Sequence, residues 1–205
     1  KLQTRLTQTQ TFAGNCKCLL MSSSTIFQSK MSVRPNFFVG IRLSSPVFAS
    51  AVVSIQDQVI QVAPQLHKCR MDPRKLHLTC FVMSLGGTEQ INKAVECLTA
   101  YQKELNLLSR SLVKKEVTFK SIGNFTTKVL FASPEEDQTM QALALANQQL
   151  EQRFVEAGLI ANTPSNGRAW HPHATILKTS YDRKNGSKLK IKPENYAGME
   201  AHLQN

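Results

Sequence analysis

The sequence predicts an α+β domain. Apolar residues alternate with a period of two in some segments and recur at helical spacing in others. In chain order these segments are strand, helix, strand, helix, strand, strand, helix and strand, which mixes a hairpin with crossover connections. That mixture is typical of an α+β domain built from two similar lobes. The length of 205 residues is sufficient for such a domain with a buried core.

A strand and a helix open the predicted domain. In residues 36–43 every second side chain is apolar, as in a strand with one buried face. Ser45 is a suitable N-cap and Pro46 a suitable first helical residue, so a helix is expected to follow. This helix should run to about Val62, because Pro64 cannot continue it.

The next strand and helix are predicted between residues 75 and 105. Residues 75–85 are almost continuously apolar, which indicates a short buried strand that ends before Gly86. Thr88 can cap a second helix, whose apolar stripe reaches Tyr101 or Leu105.

A hairpin follows the second helix. The pattern predicts strands at 117–122 and 128–132, with the turn placed around Gly123 and Asn124 because these residues favour turns. The two strands should therefore pair directly with each other.

A long helix and a last strand complete the pattern. Ser133 and Pro134 predict the start of the helix, as capping residue and first helical residue, and Gly158 predicts its end. Residues 173–179 are expected to form a strand, followed by a polar, basic segment through Lys192.

Charge and cysteine content narrow the class of protein. Lys and Arg number 25 and Asp and Glu 14, so the formal net charge is +11, which favours a polyanion such as a nucleotide, RNA or an acidic membrane surface. The sequence has no run of about 18 apolar residues, so no membrane span is predicted. The five cysteines lack the spacing of a disulfide framework or a zinc site, which indicates a reducing compartment.

Residues 1–35 are expected to be a disordered or non-native leader, with the folded domain at 36–205. The leader is rich in Ser, Thr and Gln and has no acidic residue. Such a composition is typical of a mitochondrial transit peptide, but also of a translated upstream region or a tail, with Met21 or Met31 as the true start. The localisation expected is therefore cytoplasmic or nuclear, with mitochondria as the alternative.

Two predicted strands carry the same His-x-Thr pattern. His77 and Thr79 lie in the first, and His173 and Thr175 lie in the second. Residues two apart on a strand share a face, so each histidine presents its side chain beside its threonine. If the two strands lie close together, two imidazoles and two hydroxyls meet in one site.

This set of side chains fits phosphodiester chemistry. An imidazole has a pKa near neutrality, so one can take a proton from the attacking oxygen while the other donates a proton to the leaving oxygen. The threonine hydroxyls can donate hydrogen bonds to the phosphate oxygens. No cofactor and no metal are required by this mechanism. The alternative interpretation is that each histidine is a hydrogen-bonded core residue.

Several further residues are candidates with an alternative structural interpretation. Phe81 could contact a base, but a strand phenylalanine also packs in a core. Lys178 could contact a phosphate, but it follows His173 by five residues, and this odd offset places it on the opposite face of a regular strand. His171 and His173 could hold a metal ion only with a third ligand that the spacing does not reveal.

A basic segment follows the second motif. Its Lys and Arg residues could attract an oligonucleotide backbone, although a solvated loop has the same composition. The residues are Arg183, Lys184, Lys188, Lys190 and Lys192.

The segments KLHLTCFVMSL and WHPHATILKTS resemble the paired motifs of the two-histidine (2H) phosphoesterase superfamily. The flanking segments NFFVGIRL, FVEAGLI and RKNGSKLKIKPENY are similar to the phosphoesterase domain of the A-kinase anchor protein 7 group, over residues 36–196. The resemblance implies a bilobal, pseudo-symmetric LigT-like fold, with two antiparallel sheets beside a central cleft and helices outside. It also implies that His77, Thr79, His173 and Thr175 contact phosphate.

Relatives of this kind bind nucleoside monophosphates or cleave short oligonucleotides such as 2′,5′-oligoadenylate, without metal. The family domain continues with further strands beyond the position matched by Asn205, so the second lobe is expected to be truncated. The kinase-anchoring helix of the group lies outside the matched region, and kinase anchoring is not supported.

The leading hypothesis is thus a metal-independent phosphodiesterase-type domain, a phosphoric diester hydrolase. Its expected partner is a nucleoside monophosphate, a short oligonucleotide or RNA, and the chain is expected to be a monomer. The alternatives are a nucleotide- or RNA-binding module that uses the same site without turnover, and a scaffold whose basic segment binds a protein.

Overall fold

The computed structural model describes residues 9–11, 17–22, 34–108, 116–160 and 170–203. Within them it has seven strands and three α-helices. The strands are β1 (Thr9–Thr11), β2 (Lys17–Ser22), β3 (Phe37–Arg42), β4 (His77–Met83), β5 (Phe119–Phe125), β6 (Val129–Pro134) and β7 (Ala174–Lys178). The helices are α1 (Pro46–Val62), α2 (Thr88–Leu108) and α3 (Gln138–Glu156).

The predicted α+β class is confirmed. From β3 onward the elements follow in the predicted order, and α1 begins at Pro46 and ends at Val62 as expected. The strands are hydrogen-bonded in the order β1-β2-β3-β4-β7-β6-β5, and the pairs β1–β2, β4–β7, β6–β7 and β5–β6 are antiparallel. In the described part of the chain, no helix is long and apolar enough to cross a membrane.

The chain divides into two compact units. Unit 1 comprises residues 1–41, 79–115 and 137–171, and unit 2 comprises residues 42–78, 116–136 and 172–205. The boundary between them falls inside β4, after Leu78. Of the predicted leader, the structure describes β1, β2 and residues 34–35, all of which lie in unit 1.

Unit 1 is held together by contacts between α3 and its neighbours. The ring of Phe81 packs edge-on against Phe154, with the centroids 5.1 Å apart. The Tyr101 hydroxyl donates a hydrogen bond of 2.8 Å to the carbonyl oxygen of Ala146, which fixes α2 beside α3. The side chains of Phe81, Tyr101 and Phe154 are each at most 7% exposed, so together they form an apolar core for this unit.

In unit 2, helix α1 covers one face of the sheet. Its buried side chains recur at helical spacing, because a helix presents every third or fourth residue to the same neighbour. Opposite them, β6 and β7 contribute side chains that are fully buried. The buried residues of α1 are Val52, Ile55, Gln56 and Val59, and those of the strands include Leu130, Ala132, Ala174, Ile176 and Leu177.

The predicted hairpin turn at Gly123 and Asn124 is wrong. Both residues lie inside β5, and the turn is formed by Thr126 and Thr127, which have φ angles of 51° and 59°. The amide of Lys128 donates to the Phe125 carbonyl oxygen at 2.8 Å and closes this turn. Two successive left-handed residues favour glycine and asparagine, so the turn signal was stronger at Gly123 and Asn124 than at the two threonines that form the turn.

The predicted start of the long helix is also wrong. Ser133 and Pro134 belong to the end of β6, and helix α3 begins at Gln138. The N-cap is Asp137, whose carboxylate accepts a hydrogen bond of 2.8 Å from the amide of Met140. The predicted end is confirmed, since Gly158 follows the helix with a φ of 68°.

Candidate functional site

The two histidines of the His-x-Thr pattern lie on the same face of the sheet in unit 2. Leu78 of β4 is paired directly with Ala174 of β7, and both side chains are fully buried on the α1 face. Side chains alternate along a strand, so His77 and His173, the residues before them, face the opposite side. The register therefore brings together the histidines of the two patterns.

His77 is held in one tautomer. Its Nδ1 lies 2.8 Å from the carbonyl oxygen of Lys75, which can only accept a hydrogen bond, so Nδ1 carries the proton and Nε2 carries the lone pair of the neutral ring. Burial lowers the pKa of His77 below its usual range, and nearby His173 and Lys178 lower it further, against the contribution of the Lys75 carbonyl. The neutral form, which can accept a proton at Nε2, is thereby favoured.

His173 is oriented by two phenylalanines that the sequence analysis did not single out. Its ring centroid lies 4.9 Å from that of Phe125 and 5.2 Å from that of Phe131, with edge-to-face geometry in both cases. Phe125 and Phe131 are stacked on each other at 4.1 Å, and Phe131 is directly opposite Thr175. The occurrence of two aromatic residues in one hairpin is the sequence signal from which these contacts with His173 could have been anticipated.

Lys178 shares the face of His173 and Thr175, contrary to the expectation from a regular strand. Leu130 of β6 pairs with Leu177, whereas Phe131 pairs with Thr175, so Ile176 is an extra residue in β7. Such a β-bulge places two successive side chains on one side of the strand. Accordingly Ile176 and Leu177 are both fully buried, while Thr175 is half-buried and Lys178 exposed on the other face.

Thr79 belongs to unit 1 and is half-buried. It follows His77 by two residues in β4, so its side chain leaves the strand on the same side. Its carbonyl oxygen accepts a hydrogen bond of 2.8 Å from the indole nitrogen of Trp170. Trp170 therefore anchors the segment before the second motif to this strand.

Phe81 lies in the core of unit 1. The side chain is 7% exposed and contacts Phe154, which leaves it little surface for a substrate. Phe81 therefore acts as a core residue of this unit. Across the residues that the structure describes, no group of three or more His, Cys, Asp or Glu side chains is placed to hold a metal ion.

The basic segment is folded onto the hairpin. The ammonium of Lys128 donates hydrogen bonds to the carbonyl oxygens of Gly186, Ser187 and Leu189, at 3.3, 2.8 and 2.6 Å. One carboxylate oxygen of Asp182 accepts hydrogen bonds of 3.0 Å from the amides of Lys184 and Asn185. The segment is thus a defined loop, and its exposed cationic side chains are Arg183, Lys184, Lys188, Lys190 and Lys192.

Solved structures of three kinds are similar to parts of this chain. E. coli LigT in complex with 3′-AMP is 17% identical to this chain, with a TM-score of 0.41 over 69% of this chain and 71% of that one. E. coli LigT in complex with NADP+ is 16% identical, with a TM-score of 0.40 over 71% and 72%. A solved phosphoesterase is 19% identical, with a TM-score of 0.37 over 69% and 71%.

The family comparison covers most of the chain. Residues 35–202 match the model of the AKAP7 2′5′ RNA ligase-like domain. This match includes all four residues of the two His-x-Thr patterns and the loop that follows them. The chain therefore belongs to the AKAP7 2′5′ RNA ligase-like domain family, within the two-histidine phosphoesterase superfamily.

Proposed function

We propose that this chain is a metal-independent phosphodiesterase that acts on a small nucleotide or RNA phosphodiester. The observation that carries the proposal is the β4–β7 register, which puts His77 and His173 on one face beside Thr175 and Lys178. Two imidazoles and a cation on one rigid surface match the needs of phosphoryl transfer, which requires an acid, a base and stabilisation of negative charge.

His77 is the proposed base and His173 the proposed acid. A lowered pKa keeps His77 neutral near neutrality, and its hydrogen bond to Lys75 leaves Nε2 as the proton acceptor. When a water or a ribose hydroxyl attacks phosphorus, Nε2 takes its proton and a new P–O bond forms. The bond from phosphorus to the leaving oxygen breaks, and protonated His173 donates a proton to that oxygen.

Thr175 and Lys178 are the proposed phosphate contacts. A threonine hydroxyl can donate to a non-bridging oxygen, and an ammonium adds a full positive charge there. Both interactions strengthen as negative charge develops in the transition state. The net charge of +11 supports an anionic substrate.

The direct test is turnover with a panel of 2′,5′- and 3′,5′-linked oligonucleotides and 2′,3′-cyclic nucleotides in EDTA. His77→Ala and His173→Ala should each lower turnover by about 10²–10⁴, the usual contribution of one proton transfer. His67→Ala is the matched control, because His67 is an exposed histidine of the same unit that bonds only to its own turn.

Full turnover by wild type and His67→Ala, with turnover lowered by about 10²–10⁴ in the two site variants, would support the proposal. Wild-type-like turnover in His77→Ala or His173→Ala would overturn it. Saturable, salt-sensitive nucleotide binding without product from a folded wild-type chain would instead identify a binding module. We propose the cytoplasm or nucleus as the place of action, on the basis of the cysteine usage.

A further inference from the structure

We propose that Gln56, a buried residue of helix α1 on the far side of the sheet, is a positioning residue for Lys178. The inference rests on the proposed function for its consequence in catalysis, but its structural part can be tested without a substrate. The amide of Gln56 binds the β-bulge at Ile176, and this bulge determines which face of the sheet Lys178 joins.

Gln56 is an exception among the side chains that α1 buries. It is 1% exposed, and its buried neighbours on the helix face are the apolar residues Val52, Ile55 and Val59. An amide in such a position is unfavourable unless it is hydrogen-bonded, so an apolar residue would be the ordinary choice for packing alone. The polar group therefore needs an explanation in terms of its partners.

Those partners lie at the bulge. Nε2 of Gln56 donates to the carbonyl oxygen of Ile176 at 2.9 Å and to that of Met71 at 2.8 Å. The carbonyl oxygen of Ile176 also accepts a hydrogen bond of 3.0 Å from the Met71 amide. In a bulge, the extra residue is out of register with the neighbouring strand and cannot complete the regular ladder. Gln56 supplies a second donor to the carbonyl oxygen of this extra residue, beside the Met71 amide.

The bulge has a specific effect on the other face. Without an extra residue, side chains would alternate strictly from Thr175 onward, and Lys178 would lie on the α1 face. With Ile176 inserted, Thr175 and Lys178 lie on the histidine face, and Lys178 is close enough to affect the pKa of His77. One hydrogen-bonded amide thus controls the position of a cation on the opposite side of the sheet.

The experiment measures the pKa of His77 by NMR titration of its imidazole, in the absence of substrate. The titratable groups that act on this ring are His173 and Lys178, and the Lys75 carbonyl is hydrogen-bonded to it. Lys178→Met should raise the pKa of His77, because a neighbouring positive charge is lost. Gln56→Met should raise it in the same direction, and the double variant should add little to Lys178→Met alone.

Gln58→Met is the matched control. It removes an amide from the same helix, but this amide bonds to Nε2 of His202, at 2.7 Å, and not to the bulge. The His77 titration should be unchanged in this variant. Gln56→Asn serves as a milder second variant, with the amide one methylene shorter, and should shift the His77 titration in the direction of Gln56→Met.

The outcomes separate the possibilities. If Lys178→Met raises the pKa of His77 while folded Gln56→Met and Gln56→Asn leave it at the wild-type value, the proposal is overturned. Failure of both Gln56 variants to fold would assign Gln56 to folding and would also overturn it. Equal shifts from Gln56→Met and Lys178→Met would support the positioning role even if the chain had no phosphodiesterase activity.

Discussion

The ring of Phe131 lies directly over Gly123 on the neighbouring strand. The two residues are paired in register, and a Cβ atom at position 123 would approach Cζ of Phe131 to 2.5 Å. The glycine thus leaves the space that the ring occupies next to β5. From there Phe131 stacks on Phe125 and contacts the ring of His173. Because Gly123 has no side chain, Phe131 can take the position from which it orients His173.

Gly123→Ala should displace Phe131 and disturb His173. Overpacking of this kind usually costs about 1–3 kcal/mol of the free energy of unfolding. We expect a lower melting temperature and a lower turnover number. Gly87→Ala is the control, because nothing lies within 4 Å of a Cβ atom there. Equal melting temperatures for Gly123→Ala and wild type would show that the ring moves without cost.

His77 should make stability depend on pH. Its folded pKa is lowered, so as the pH falls below the unfolded value of about 6.5 the unfolded chain takes up the proton first. The stabilisation is complete above that pH and is lost below it. Between about pH 7.5 and pH 5, the free energy of unfolding should therefore fall more for wild type than for His77→Gln.

The control for this titration is His67→Gln, which changes an exposed histidine of the same unit. This variant should lose as much stability on acidification as wild type. If His77→Gln loses as much as His67→Gln, the environment of His77 does not oppose protonation, and its assignment as the base would fail.

The sequence predicted most of the elements because their signals are local. Ser45 and Pro46 define the start of α1 through one turn of chain, and the hydroxyl of Ser45 does accept a hydrogen bond from Phe48. The His-x-Thr patterns predicted which side chains share a face, since strand alternation depends only on neighbours in the chain. For the same reason, the helix end at Gly158 could be predicted.

The position of Lys178 could not be predicted in this way. A bulge is a property of two strands, and the extra residue at Ile176 is defined only by its register against Leu130 and Phe131. Its partner Gln56 lies 120 positions away in the sequence. The contacts of His173 with Phe125 and Phe131 are likewise made across strands. The parts of the site that escaped prediction are those that tertiary packing determines.

The hairpin turn offers a test of local strain. Thr126 and Thr127 both have positive φ angles, a conformation that costs a β-branched residue about 1 kcal/mol. The double substitution Thr126→Asn and Thr127→Gly should relieve this strain at both positions and raise the free energy of unfolding by about 1–2 kcal/mol, less the entropy that glycine adds to the unfolded chain. Chemical denaturation measures the difference.

A matched control places the same residues in the opposite order. Thr126→Gly with Thr127→Asn should stabilise less, because Asn-Gly is the preferred pair at the two central positions of such a turn. A loss of stability in both double variants would contradict the left-handed conformation of this turn.

Lys128 should protect the basic loop from proteolysis. Its ammonium binds three loop carbonyl oxygens, and hydrogen bonds to a charged group contribute about 1.5–3 kcal/mol. Lys128→Met should favour local opening by that amount, so trypsin should cleave after Lys184 or Lys188 roughly 10- to 100-fold faster. Global unfolding would expose every site at once, whereas local opening confines early cleavage to this loop.

The control is Lys120→Met, which removes a lysine paired with Glu135 at the same hairpin. Its cleavage pattern should be that of wild type. Unchanged cleavage in Lys128→Met would mean that Asp182 and its amide contacts hold the loop without the lysine.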